Sequence, residues 1–403
     1  MSRCKRKQDQ FLPENIRFAS ICVGILVFLT IVFGQVRYTG SDARATLVVS
    51  EAILKHGTIK LDAYGREALI QRFGNPESKQ DPLTYVLSNK NGHYYAYFPL
   101  GTAIASIPFV WIALGFGFEM MQHEAMIQMV IVSAISVLNF VLLLKIARLT
   151  LSPLASLFVA SIFWFGTGLS SALGSALWSH DFAVTFALMA LYLSLLSAKE
   201  NRVVLSAVIA LSLFMSYLSR PTMSLFVAMD LLFLGLIFRR DVVSVAIQAL
   251  GLLLIFVAFS FFEYGQILPD YYLPQRLVGG SMALAIMGNL FSPSRGLLVF
   301  SPLIWVLPLC FGFRKDMAYK EGWFLLAWLW PLMHLLAISQ FPHWFGGYCY
   351  GPRLMSDALP GLFLITVRSW PTLSQFKTKK LLSLAVLLTC FFSIYANSVM
   401  GLY

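Results

Sequence analysis

Eleven stretches of this chain read as membrane-spanning: 18–36, 125–144, 152–172, 181–198, 203–219, 222–238, 242–262, 296–313, 322–339, 354–368 and 381–402. A helical span takes about 20 predominantly apolar residues, because hydrocarbon offers no partner to a bare backbone amide. So many such runs leave few folds open. Only 12 % of the 403 residues are charged and 58 % are hydrophobic, against about 25 % charged in an ordinary soluble domain. This composition cannot supply the polar surface of a soluble fold. It excludes a soluble enzyme, a disordered chain and a disulfide scaffold. The expected class is all-α: a polytopic transmembrane helical bundle of about 11 spans plus one re-entrant or juxtamembrane segment. It reads as one integral membrane domain over residues 1–403.

The net charge of +11 would suggest a nucleic-acid partner in a soluble protein. Here the basic residues fall between apolar runs and act as orientation signals, so no nucleic acid is expected. Arg3, Lys5, Arg6, Lys7 and Arg17 hold residues 1–17 in the cytoplasm as a tail. The run at 18–36 is too long for a signal-peptide core and lacks a small-residue cleavage site. Lys145 with Arg148, Lys199 with Arg202, Arg239 with Arg240, Arg314 with Lys315, and Lys377 with Lys379 and Lys380 then share the cytoplasmic side. This holds only if the further apolar run 97–118 does not cross. That run is expected to be re-entrant or interfacial, broken at Pro99 and Pro108. The alternatives are that a later run does not cross, or that the charge rule fails here. With this choice three loops face outward: 37–97, with juxtamembrane helices, 263–295 and 340–353. Of the five cysteines only Cys349 falls in an outer loop, so no external disulfide is expected within the chain.

Four groups of residues at the outer ends can carry chemistry. Asp42, beside Arg44 and just past the first run, can act as a general base at the membrane surface. The plainer alternative is an N-cap, with Ser41 or Asp42 starting a helix through Leu54 that ends at Lys55 and His56. Trp178-Ser179-His180-Asp181 offers a His–Asp pair for acid–base work, substrate orientation or a metal. It also fits an interfacial tryptophan followed by a helix cap. Arg220, Arg295 and Arg353 stand at outer ends, where the charge rule disfavours them, each beside Pro or Gly. A planar guanidinium suits phosphate, and lipid headgroups are the plain alternative. Tyr95 and Tyr97 in one loop, and Trp344 and Tyr350 in another, suit a sugar or lipid groove or an interface belt. No spacing specifies a ligand set, so no cofactor is required, while a divalent metal stays open.

An acidic residue just past the first span, a Tyr-rich Pro-Leu segment before a non-crossing helix, and a second acidic residue at the next outer loop occur together here. This pattern resembles the GT-C superfamily of integral membrane glycosyltransferases, which includes protein O-mannosyltransferase-like enzymes and the lipid A aminoarabinose transferase. Asp42 in Ser-Asp-Ala-Arg matches the family's first-loop catalytic carboxylate. Phe98-Pro99-Leu100 resembles the family's Pro-Pro-Leu, and Asp181 looks like its second-loop acidic residue, here following His180. Trp178 with His180, Ser219-Arg220-Pro221, Arg295-Gly296 and Tyr350-Gly351-Pro352-Arg353 look like a bacterial subgroup of the superfamily.

The resemblance implies an undecaprenyl-phosphate-linked sugar donor, a glycan, lipid or protein acceptor, and an external active site in a bacterial inner membrane. The expected reaction is inverting transfer. Asp42 takes the acceptor's proton, Arg295 or Arg353 stabilises the leaving phosphate, with Arg220 and Arg44 as further phosphate ligands, and Asp181 and His180 orient the donor or a metal. Tyr95, Tyr97, Trp178, Trp344 and Tyr350 would line the sugar or lipid groove. Three rival readings remain, one of them a non-catalytic assembly subunit in which Asp42, Arg295 and Arg353 can all be replaced without effect. A secondary transporter or flippase would depend on ionisable groups inside spans, of which Asp230 and His334 are the candidates. A surface-polysaccharide polymerase or ligase would share the donor but move a whole chain.

Overall fold

The computed structural model describes residues 13–34, 43–74, 86–313, 322–347 and 349–403. Among these the protein is helical apart from one hairpin. Helix α1 (Glu14–Val32) is followed by α2 (Thr46–His56) and α3 (Arg66–Phe73). Strands β1 (Leu87–Lys90) and β2 (His93–Ala96) pair antiparallel, Lys90 opposite His93, through Asn91-Gly92. Both turn residues have positive φ, which is why an Asn-Gly pair sits there. Then come α4 (Leu100–Gly115), α5 (Met120–Ala147), α6 (Pro153–Phe165), α7 (Ser179–Glu200), α8 (Ser206–Ser219), α9 (Ser224–Ile237) and α10 (Asp241–Tyr264). The chain continues through α11 (Met282–Phe291), α12 (Leu297–Phe300), α13 (Leu303–Phe311), α14 (Trp330–Ile338), α15 (Leu359–Ser369), α16 (Leu373–Thr378) and α17 (Lys380–Ile394).

Five helices are long and apolar enough to cross a membrane: α1, α5, α7, α10, and α17 with the π turn that extends it to Val399. They divide by position. Helix α7 is the hub, touching α4, α5, α8, α9, α15 and the turn at 353–358, and both α5 and α7 are largely buried. Helices α1 and α10 are mostly exposed. On α10 the exposed residues include Ile247, Leu254, Ile255 and Phe262, the last 87 % exposed. A helix apolar all round and this bare is suited to lipid, not water.

Five sequence expectations are corrected. The segment 97–118 is not broken at Pro108: α4 runs continuously from Leu100 to Gly115, with Pro99 as its N-cap. An internal proline forfeits one main-chain bond, and the helix continues through it with Ser106 and Val110 buried on either side. The first-loop helix does not start at Ser41 or Asp42. It starts at Thr46, its N-cap position is Ala45 in the left-handed region at φ 65°, and it ends at His56 before Gly57.

The run 152–172 is helical only to Phe165. Residues 167–178 hold only the 3₁₀ turn Leu173–Ser175 and are nonetheless buried. Asn397 braces this segment at its start, its Nδ2 donating to the Gly166 carbonyl (3.1 Å) and its Oδ1 accepting from Ser171 Oγ (2.9 Å). The run 296–313 is two helices, α12 and α13, interrupted at Ser301-Pro302, where proline cannot take part in a helix already begun. The expected outer loop 263–295 also contains α11.

Candidate functional site

Three chain reversals converge at one end of α7. Trp178 is extended (φ −72°, ψ 157°), and Ser179-His180-Asp181 forms the first turn behind it. Helix α8 stops at Ser219 because Arg220 precedes a proline and is extended (φ −148°, ψ 116°). Gly101 of α4 lies so close to Leu218 and Ser219 that a Cβ there would overlap their backbone. That glycine fixes the approach of α4 to the Arg220 turn. The third reversal is a 3₁₀ turn, Arg353–Ala358, which follows Pro352 and is buried throughout.

The turns meet at Asp357. Its Oδ1 accepts from His180 Nδ1 at 2.6 Å. Its Oδ2 accepts from Arg220 Nε and from Thr222 Oγ1, both at 3.1 Å. Arg220 Nη1 also donates to Ser179 Oγ (3.2 Å) and to the Tyr271 hydroxyl (3.3 Å). From α14, His334 donates through Nε2 to the Leu354 carbonyl (2.8 Å), and that nitrogen lies 3.9 Å from Asp357 Oδ2. Asp357, His180 and His334 are fully buried. A carboxylate at such depth is tolerated only when its lone pairs are satisfied by charged and hydrogen-bonding partners. Here the guanidinium and the hydroxyl bind one oxygen and the imidazole binds the other.

Trp178 joins this cluster to two distant segments. The Arg353 guanidinium lies 4.2 Å from the centre of its ring, in cation–π geometry. Trp178, Ala176 and Ala43 form a small buried cluster of their own. The residue next to Asp42 is thereby packed with the tryptophan that carries Arg353.

A shallow cleft opens beside the cluster, with a cavity of about 20 Å³ lined by Ser88, Lys90, Tyr97, Tyr264, Asp270 and Tyr271 among others. The Tyr271 ring stands edge-on to Tyr97 (5.7 Å) and Phe98 (5.8 Å), while its hydroxyl reaches Arg220. Lys90 and Asp270 are paired at 2.7 Å. Burial pushes the Asp270 carboxyl upward, but its bonds to Lys90 and Gln266 outweigh that and hold it below the usual carboxylate range.

The sequence candidates fare unequally. Asp42, the expected base, lies outside the described residues. His180, Arg220, Arg353 and Trp178 are brought together as described. Asp181 is buried in the first turn of α7, where its carbonyl accepts from Thr185 at 2.8 Å. Tyr97 lines the cleft, whereas Tyr95 is buried with its hydroxyl bonded to Glu263 (3.0 Å). Arg295 donates to the carbonyls of Gly347 (2.8 Å) and Cys349 and so braces the loop between them. Arg44 donates to the Arg72 carbonyl and lies 5.6 Å from the Phe73 ring centre. Trp344 packs onto Gly288, and the Tyr350 hydroxyl donates to the Ala396 carbonyl (2.6 Å). Among the described residues no group of three or more His, Cys, Asp or Glu side chains can hold a metal ion.

Sequence reasoning missed Asp357, Thr222 and Tyr271. One signal was available for the first. Asp357 is the only acidic residue after Glu321, and it opens an apolar run four positions beyond Arg353. No family model matches the chain, and no curated protein does.

Proposed function

We propose that this protein is a membrane glycosyltransferase of the GT-C kind, moving a sugar from an undecaprenyl-phosphate donor to an acceptor at the outer face of a bacterial inner membrane. In this reading the five long helices and the shorter apolar ones make up a bundle of about eleven spans, with α4 as the additional segment. One observation carries the proposal. Trp178 packs with Ala43, the neighbour of the expected catalytic carboxylate, while its ring holds the Arg353 guanidinium at 4.2 Å. Transfer from a phosphate-linked sugar needs a proton acceptor near the acceptor hydroxyl and a cation near the departing phosphate. Positions 43 and 353 are far apart in sequence, and their approach to one tryptophan supports this reading.

In the mechanism, the acceptor oxygen attacks the anomeric carbon as its proton leaves. The bond to the phosphate oxygen breaks, and Arg353 stabilises the charge that grows there. Asp42 is the sequence-derived candidate for the proton. Purified protein in vesicles, given undecaprenyl-phosphate-linked hexoses and pentoses with a crude envelope acceptor fraction, is expected to release undecaprenyl phosphate. If Asp42 takes the proton, Asp42→Asn inserts normally and loses release almost completely. Folded wild-type protein that releases none from any of these donors overturns the reading.

A further inference from the structure

The strongest feature that the proposed function leaves unused is the contact between His180 and Asp357. Both side chains are fully buried, and Nδ1 and Oδ1 are 2.6 Å apart. The other carboxylate oxygen accepts from a guanidinium and a hydroxyl. An ion-paired carboxylate is acceptor-only, so the hydrogen in the 2.6 Å contact belongs to the imidazole. In the neutral imidazole this fixes the tautomer: Nδ1 carries the hydrogen, and Nε2 keeps its lone pair. Nε2 finds no hydrogen-bond partner among the described residues. A buried polar atom without a partner is unfavourable, and His334 Nδ1, on the other side of Asp357, is in the same state. An imidazole oriented by a carboxylate at one nitrogen and bare at the other is the arrangement of a general base.

We propose that His180, positioned by Asp357 and Arg220, and not Asp42, accepts the proton of the acceptor hydroxyl through Nε2. This rests on the glycosyl-transfer reading and deepens it, since it makes the substrate on this side of the site a hydroxyl-bearing acceptor. In the step, the Nε2 lone pair takes the hydroxyl proton while the acceptor oxygen bonds to the anomeric carbon. The bond from that carbon to the phosphate oxygen breaks, and its electron pair departs with undecaprenyl phosphate. The imidazolium then faces the Asp357 carboxylate until its proton passes to the released phosphate or to water. Asp357 and Arg220 are positioning residues: one holds the tautomer, and the other, tied to Ser179 and Tyr271, holds the carboxylate.

Two measurements test this on the full-length protein in liposomes. The first is ¹⁵N NMR of histidine-labelled protein, with the His180 signals assigned by their loss in His180→Gln. The expected result is a protonated Nδ1 and a bare Nε2 in the wild type, and a mixture of tautomers in Asp357→Asn. A protonated Nε2 in the wild type overturns the proposal.

The second is the pH profile of undecaprenyl phosphate release from the donors above. His180→Gln is expected to lower release by about 100-fold or more and to abolish the fall in activity on acidification. Asp357→Asn, the second variant should His180→Gln fail to fold, is expected to displace that fall along the pH axis. The charged and titratable groups around the imidazole are Asp357, Arg220, Arg353 and His334, with Asp181 on its own helix, so the exposed Arg240, changed in Arg240→Gln, serves as the control that leaves the position unchanged. A loss uniform across pH in both variants overturns the base role and leaves a structural bracket. Wild-type protein silent in release fails the transferase reading, and the catalytic step with it, whereas a wrong tautomer or an unmoved profile in active protein fails this proposal alone.

Discussion

Glu51 and Glu124 cap each other's helices. The Glu124 carboxylate, from α5, accepts from the main-chain amides of Ala45 (3.1 Å) and Leu47 (2.9 Å) at the start of α2. The Glu51 carboxylate, from α2, accepts from the amide of Met120 (3.0 Å) at the start of α5. Both acids are buried. Each satisfies amides that the first turn of a helix leaves orphaned, and each places negative charge at a positive helix end. Lys55 approaches Glu51 at 2.6 Å, and that bond holds its ammonium above the usual lysine range.

This exchange anchors the chain just beyond Asp42. Replacing a capping side chain by alanine costs about 0.5–2 kcal/mol. Glu124→Ala is expected at the upper end of that range, because two buried amides lose their acceptor. Glu124→Gln keeps one carbonyl oxygen and is expected to lose less. Thermal unfolding in detergent gives the comparison, and a Glu124→Ala protein as stable as the wild type would refute the capping role.

Gly101 sets a second constraint. A Cβ at this position would overlap the backbone of Leu218 and Ser219, immediately before Arg220. Gly101→Ala is expected to separate α4 from α8, and Gly101→Val to do so further, drawing the guanidinium away from Asp357. Overpacking of this kind destabilises by about 1–3 kcal/mol. Loss of transfer is expected to exceed what the fall in folded protein explains, since a carboxylate that loses its cation stays buried. Normal activity in well-folded Gly101→Val would show that the Arg220 turn tolerates displacement.

How much of this was legible in the sequence depended on the kind of signal. The apolar runs at 125–144 and 181–198 became α5 and α7 within a few residues, because long hydrophobic stretches bounded by polar residues determine helices locally. The run at 152–172 misled. Its small residues Gly166, Gly168, Ser170 and Ser171 are apolar enough to read as span, but the backbone there is held by Asn397, more than two hundred residues later. The N-cap at Ser41 or Asp42 misled for a related reason. A capping residue is normally local, and here it is Glu124, on another helix. His180, Arg220 and Arg353 were visible because polar residues at the ends of apolar runs are unusual. Asp357, which joins the first two, was not singled out, since no spacing rule links positions 177 residues apart.

The hairpin carries a pH-sensitive tie. Lys90 on β1 pairs with Asp270 at 2.7 Å, and the partners are 23 % and 43 % exposed. The Asp270 carboxyl is held below its ordinary value, so its ionised form stabilises the fold at neutral pH and above. That contribution fades as the pH falls through the lowered folded value. Pairs this exposed are worth about 0.2–1 kcal/mol, so the effect is modest. Asp270→Asn should narrow the difference in melting temperature between neutral and acidic buffer, and Lys90→Gln should do the same. A melting-temperature difference unchanged in both variants would remove the ion pair from the account.

Trp178 offers the sharpest separation of stability from function. It packs with Ala176 and Ala43, and its ring carries the Arg353 guanidinium at 4.2 Å. Trp178→Phe keeps an aromatic face for the cation, although a smaller one, and loses the indole bond to Ser175 Oγ (3.3 Å). Trp178→Leu keeps apolar volume and loses the face. A cation over an aromatic ring contributes about 0.5–2 kcal/mol. If the ring serves only as filling, the two variants should melt within about a degree of each other and transfer sugar equally. If it holds Arg353 against a departing phosphate, transfer should fall by about tenfold or more in Trp178→Leu than in Trp178→Phe. The deficit should appear in kcat at saturating donor, because the guanidinium acts on charge that develops only as the bond breaks. A Leu variant that matched the Phe variant in kcat would leave Arg353 without a role in the chemistry.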